Sequence, residues 1–169
     1  FLDRFDPDTL RHYLSINMPE NHDTGFNWPD FVEKINNELN GTYGNYVNRI
    51  MSLGNKLGGE NPLVAYDNLT FCEDEMDRLQ EIYVQITQSL NRHRYKEALR
   101  HVMSAAQYGN QMIQKAEPWE AIKAIESGTG DPTESLAKLA FGWRLARFLA
   151  IVSQPFLPFS AQRLWTMLG

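Results

Sequence analysis

One cysteine in 169 residues, Cys72, has no partner with which to close an internal disulfide. It also cannot supply a cysteine-built zinc site, so any metal would have to be held by histidines and carboxylates. Long apolar runs are missing as well. The C-terminal third has none beyond a few residues, far short of the roughly 18 that cross a bilayer, and no membrane span is expected. No charged, apolar and cleavable leader pattern stands at the start, which opens on Phe1 and suggests a piece of something larger. The expected compartment is therefore the cytosol, and the Asn-x-Thr matches at Asn40 and Asn68 read as chance. Positive charge is in deficit. Sixteen Lys and Arg against twenty-one Asp and Glu give −5, which excludes a whole-surface binder of polyanions.

Catalytic patterns are absent too. There is no Gly-x-x-x-x-Gly-Lys-Ser/Thr loop, no His-Glu-x-x-His, no Gly-x-Ser-x-Gly and no cysteine pair. His12, His22, His93 and His101 are scattered over different elements and read as surface or capping residues. Acid pairs such as Glu73 and Asp77 lie on a face that reads as solvated. No active site is expected in this chain.

What is present suits one globular domain, since a 43% hydrophobic content can fill a sizeable core. The periodicity is helical throughout, with no sustained alternation of period two. Asp6-Pro7-Asp8 starts a short helix running to about Met18, with Leu10, Tyr13 and Leu14 at helical spacing. Asn27-Trp28-Pro29-Asp30 starts a second, striped by Val32, Ile35, Leu39, Tyr43, Tyr46, Ile50, Leu53 and Leu57 and ended by Gly58-Gly59. Gly41, Gly44 and Gly54 inside it either break the helix near Gly41 or admit a close neighbour. Thr70-Phe71-Cys72-Glu73 has the form of a capping box opening a third helix, with Met76, Leu79, Ile82/Tyr83, Ile86 and Leu90 inward. A fourth helix runs from about Tyr95 to a boundary at Pro118, and a short turn or helix from Trp119 to Ile125 follows. Asp131-Pro132-Thr133-Glu134 starts another, broken at Pro155 and Pro158, and Phe159–Leu168 forms the last. The fold class expected is an all-α antiparallel helical bundle.

Charge is unevenly placed. Residues 1–38 carry eight acids against three bases, and residues 67–81 six acids against Arg78 alone, so both would repel phosphate. Lys56 lies in a stretch free of acids. Arg92, Arg94, Lys96 and Arg100 stand against Glu97 alone. These bases are the candidate phosphate contacts, the alternative being that they solvate helix faces. Asn45 and Arg49, four apart on a helix, offer an amide edge and a forked guanidinium from one face, a set able to read unpaired bases. Trp119, fixed by Pro118 at a helix end, can be a stacking platform or plain core.

Taken in order, these segments resemble the helical anticodon-binding region of methionyl-tRNA synthetases. Asp8-Thr9-Leu10-Arg11-His12-Tyr13-Leu14 is similar to that family's Asp-x-Leu-Arg-Tyr-Tyr-Leu segment. Trp28-Pro29-Asp30-Phe31 is similar to its entry into the first bundle helix, and Gly44-Asn45-Tyr46-Val47-Asn48-Arg49 to the helix whose Asn and Arg recognise the first anticodon base. Ala116-Glu117-Pro118-Trp119 resembles the Pro-Trp whose indole stacks on that base, and Pro155–Ala161 with Leu164-Trp165 the end of the bundle.

The resemblance implies a bundle of the class I synthetase anticodon-binding type over residues 28–169. Residues 1–27 would be a stem-contact segment leading to a catalytic domain of the same chain. It implies Asn45, Arg49, Pro118 and Trp119 as anticodon-binding residues, and a methionine-specific tRNA with a CAU anticodon as partner. The family's His-Ile-Gly-His and Lys-Met-Ser-Lys-Ser elements and its zinc cysteines do not occur here. This chain is therefore expected to hold no cofactor and to be inactive alone in the ATP-dependent ligation of methionine to its tRNA. ATP belongs to the catalytic part, where zinc is also allowed. The same bundle in an isoleucyl, valyl or leucyl enzyme, or a helical protein-interaction module without nucleic acid, are the alternatives. They are separated by whether Asn45, Arg49 and Trp119 converge on one surface.

Overall fold

Short polar side chains ahead of the apolar stripes start the first helices. The computed structural model describes residues 1–20, 23–57 and 65–169 and contains no strand among them. Helix α1 (Pro7–Ile16) begins where the Asp6 carboxylate accepts the Asp8 amide at 2.9 Å, and α2 (Trp28–Lys34) where the Asn27 side chain accepts the Asp30 amide at 3.1 Å. A side-chain acceptor there satisfies one of the four amides a helix start leaves unpaired. Gly41 does not break the second helix. The chain passes through a π-helical segment, Ile35–Gly44, and continues as α3 (Asn45–Lys56). The wider turn brings Asn36 O so near Gly41 that a Cβ would stand 2.9 Å from it.

A 3-10 turn (Leu69–Phe71) precedes α4 (Glu73–Asn91), which turns at Arg92–Arg94 into α5 (Tyr95–Ala116). Helices α6 (Pro118–Ser127), α7 (Thr133–Val152) and α8 (Pro158–Leu168) complete the bundle. Helix α7 is apolar nearly all round and occupies the middle, packing on α5, α6 and α8. Helix α1 shares this core through Tyr13 and Ile16. It is tied to the far end of the chain by Arg11, which donates to the carbonyls of Pro155 and Phe156, and by Asp8, whose carboxylate accepts the Ser160 amide at 2.6 Å in the first turn of α8.

Several expectations are corrected. Thr70 caps nothing; its hydroxyl donates to Asn68, whose side chain also accepts the Thr70 amide, and α4 starts at Cys72 without a side-chain cap. Leu14, Val32, Met76 and Tyr83 are exposed, because each lies one helical step outside the arc its neighbours cover. His12 is not a surface residue: it is wholly buried, with Nε2 3.3 Å from the Glu38 carboxylate. His22 and the expected stop at Gly58-Gly59 lie outside the described residues.

Three helical glycines instead mark where helices touch. A Cβ at Gly54 would stand 2.4 Å from the Trp143 ring, one at Gly109 2.3 Å from the Tyr46 ring, and one at Gly142 2.7 Å from Ile50. An exposed helical Gly→Ala change gains about 1 kcal/mol from helix propensity. For Gly109→Ala the sign reverses, because Tyr46 is wholly buried and its hydroxyl donates to Gly142 O at 2.6 Å, so the ring cannot move aside. We expect Gly109→Ala to lose about 1–3 kcal/mol in urea unfolding; an unchanged or raised midpoint would contradict this packing.

Candidate anticodon-binding groove

Helices α3 and α5 run side by side in the same direction, and each offers two polar residues one turn apart toward the other. Tyr46 and Ile50, both wholly buried, turn one side of α3 into the core. That leaves Asn45 exposed and Arg49 half-buried along the seam with α5. Facing them are Asn110 and Gln114. Asn45 Nδ2 donates to Asn110 Oδ1 at 2.9 Å. Arg49 donates from one terminal nitrogen to the Asn110 carbonyl at 3.2 Å and from the other to Gln114 Oε1 at 3.2 Å.

Helix α5 ends at Glu117, whose φ of 45° is in the left-handed region that a side-chain-bearing residue rarely adopts. The sharp turn places Pro118, buried, at the first position of α6, where its missing N–H costs nothing. Trp119 follows, half-buried, one side on the core and the Arg49 guanidinium 6.0 Å from its ring centroid. The ring is thus neither wholly enclosed nor free of the core, and it lies beside Arg49.

A groove of about 590 Å³ runs along the seam, lined by Thr42, Asn45, Arg49, Asn110, Gln114 and Lys115 among others. Its lining includes two bases and no acid, in a chain of net charge −5. A second hollow of about 280 Å³ shares Thr42 and Gln107 with it and extends the crevice to Lys96 and Arg100. Arg100 is ten residues before Asn110, about 15 Å along α5. Arg92 and Arg94 are exposed at the α4–α5 turn, Arg94 3.5 Å from Glu97. Lys56 stands exposed at the end of α3, apart from both hollows.

The acidic stretches are less repulsive than their composition suggests. Glu75 pairs with Lys138 at 2.6 Å and Asp67 with Arg144, both across to α7. Asp6 and Asp8 serve helix starts. Hydrogen bonds from Lys34 and Tyr13 hold the Asp30 carboxyl below the usual carboxylate range.

Asn110 and Gln114 escaped the sequence reading. Their four-residue spacing on one face of α5 is the only signal, and it does not differ from that of a solvated helix face.

Two family models match this chain. Residues 1–51 match that of the class I tRNA synthetases (M), and residues 66–169 that of the anticodon binding domain of methionyl tRNA ligase, which alone spans more than half of the chain. The chain belongs to that family. Relatives include the methionine–tRNA ligases of Chlorobaculum tepidum, 34% identical over 100% of this chain and 23% of its own length, and of Cytophaga hutchinsonii, 36% identical over 96% and 23%. That of Methanopyrus kandleri is 33% identical over 100% of this chain and 24% of its own length. The chain thus spans about a quarter of the length of the curated relatives it matches. The match is to the methionyl branch of synthetases, and no helix among the described residues is long and apolar enough to cross a membrane.

The half-buried state of Trp119 sets its contribution to stability. Trp119→Ala should cost about 1–2 kcal/mol in chemical unfolding, short of the ~3–5 kcal/mol for a fully enclosed aromatic. A loss in the upper range would mean that the ring is core and has no open face to offer.

Proposed function

We propose that this chain is the part of a methionine–tRNA ligase that reads the tRNA anticodon. The observation that carries the reading is that Asn45 and Arg49 of α3 line one groove whose lining includes no acid, with the Trp119 ring of α6 beside Arg49. Unstacked loop bases are where proteins read RNA sequence, by stacking and by hydrogen bonds to base edges. The open part of the Trp119 ring offers stacking worth about 1–3 kcal/mol to any base. Asn45 and Arg49 supply the choice, here for the first anticodon base, the cytosine of CAU.

Lys115, Lys96 and Arg100 lie along the same crevice and supply salt-sensitive attraction for phosphates. Arg92 and Arg94 extend that positive end at the α4–α5 turn, and Lys56 adds a more distant contact. Residues 1–27 join the bundle to the catalytic domain. The activation of methionine with ATP, and its transfer to tRNA, belong to that domain, as does zinc where it is used; the present residues select the tRNA.

The test is base dependence. Arg49→Gln or Asn45→Ala, in the full-length ligase, should cost about 1–3 kcal/mol for a tRNA with cytosine at the first anticodon position, and much less where that base is already changed. Measured at fixed salt, an equal loss for every anticodon would make Arg49 a backbone contact. No loss would return the pair to a solvated helix face.

A further inference from the structure

The Asn110 side chain is held from two sides, and the partners on each side leave its amide one orientation. Its Nδ2 stands 3.0 Å from Thr42 O in the π-helical segment and 3.2 Å from Ala106 O in its own helix. Backbone carbonyls only accept hydrogen bonds, so this end of the amide must be the NH2 group. The other end faces α3, where it lies 2.9 Å from the Asn45 amide and 3.5 Å from an Arg49 nitrogen. A guanidinium only donates, so that end must be the oxygen. Each side requires the same polarity.

The polarity passes on to the base-reading pair. Because Asn45 meets an acceptor, it must turn its NH2 group to Asn110, which leaves its oxygen as the group offered to the groove. Arg49 keeps donors beyond those given to Asn110 and Gln114. The pair therefore offers one acceptor beside guanidinium donors. Cytosine carries a 4-amino donor next to the N3 and O2 acceptors and fits this pattern. Uracil has an oxygen at position 4 and would set it against the Asn45 oxygen.

The geometry points to Asn110 as a positioning residue: by fixing which end of the Asn45 amide faces the groove, it makes the site prefer cytosine to uracil. This inference rests on the first-base reading above and adds to it the source of the pyrimidine choice. The π-helical segment takes part, because one of the two carbonyls that orient Asn110 is that of Thr42.

The test compares stem-loop RNA hairpins with cytosine or uracil at the first anticodon position, binding to the full-length ligase at one salt concentration, with thermal unfolding recorded for each variant. In Asn110→Ala the Asn45 amide is free to turn, and the preference for cytosine should fall about tenfold. Asn110→Asp keeps an acceptor toward Asn45 but sets its second oxygen against the Thr42 and Ala106 carbonyls. It should unfold at a lower temperature yet keep its cytosine preference to within about threefold of wild type.

If Asn110→Ala weakens both hairpins equally, or if the Asp and Ala variants lose selectivity alike, Asn110 is only scaffolding and the inference is overturned. A wild-type cytosine preference that survives in both variants overturns the role of Asn110 and leaves the first-base reading standing. A wild-type protein that binds the two hairpins alike overturns the first-base reading and this inference with it.

Discussion

Tyr46 is the residue on which the groove depends. Its ring is wholly buried, fills the space a Cβ would need at Gly109 on α5, and its hydroxyl donates to Gly142 O on α7. Burial pushes the phenol well above its usual pKa, so it remains a donor throughout the physiological range. One side chain thus sets the distance of α3 from two helices and its rotation about its own axis. Successive helical residues lie about 100° apart, so fixing Tyr46 inward turns Asn45 toward the seam, and Arg49 one turn later follows it. Under the proposed function, a pair held in this way would need little reordering when a base arrives, which would keep the entropy cost of binding low.

The charge distribution follows the same division. The chain carries more acid than base, yet Asp6 and Asp8 serve helix starts and Glu75 and Asp67 pair with α7, while the seam keeps Arg49 and Lys115. The exposed pairs contribute little to stability, on the order of 0–1 kcal/mol each. A paired carboxylate also repels a phosphate less than a free one does.

Much of this was legible in the sequence because it rests on local chemistry. Asp6 and Asn27 announce their helices, and the inward residues from Ile35 to Leu53 keep helical spacing through the π-helical segment. Asn45, Arg49 and Trp119 are recognisable because two of them share a turn and the third follows a proline. The glycines left two readings open. Propensity alone cannot separate a break from a close approach, and only the positions of Trp143, Tyr46 and Ile50 decide it. Asn110 and Gln114 were invisible for a related reason. Their partners lie on another helix about 65 residues earlier, and a single sequence carries no mark of that offset. His12 was misjudged because its burial beside Glu38 comes from the π-helical segment, which the sequence pattern does not reveal.

The central claim is that Trp119, rather than a more exposed tryptophan, receives the base. Trp28 and Trp165 are 53% and 47% exposed, and Trp143 is buried, so the four indoles sample distinct environments. The direct measurement is fluorine NMR of the chain labelled with 5-fluorotryptophan, titrated with a stem-loop hairpin bearing cytosine at the first anticodon position. The account predicts that the Trp119 resonance moves with occupancy while that of Trp143 stays in place. A stationary Trp119 signal, with Trp28 or Trp165 shifting instead, would contradict it.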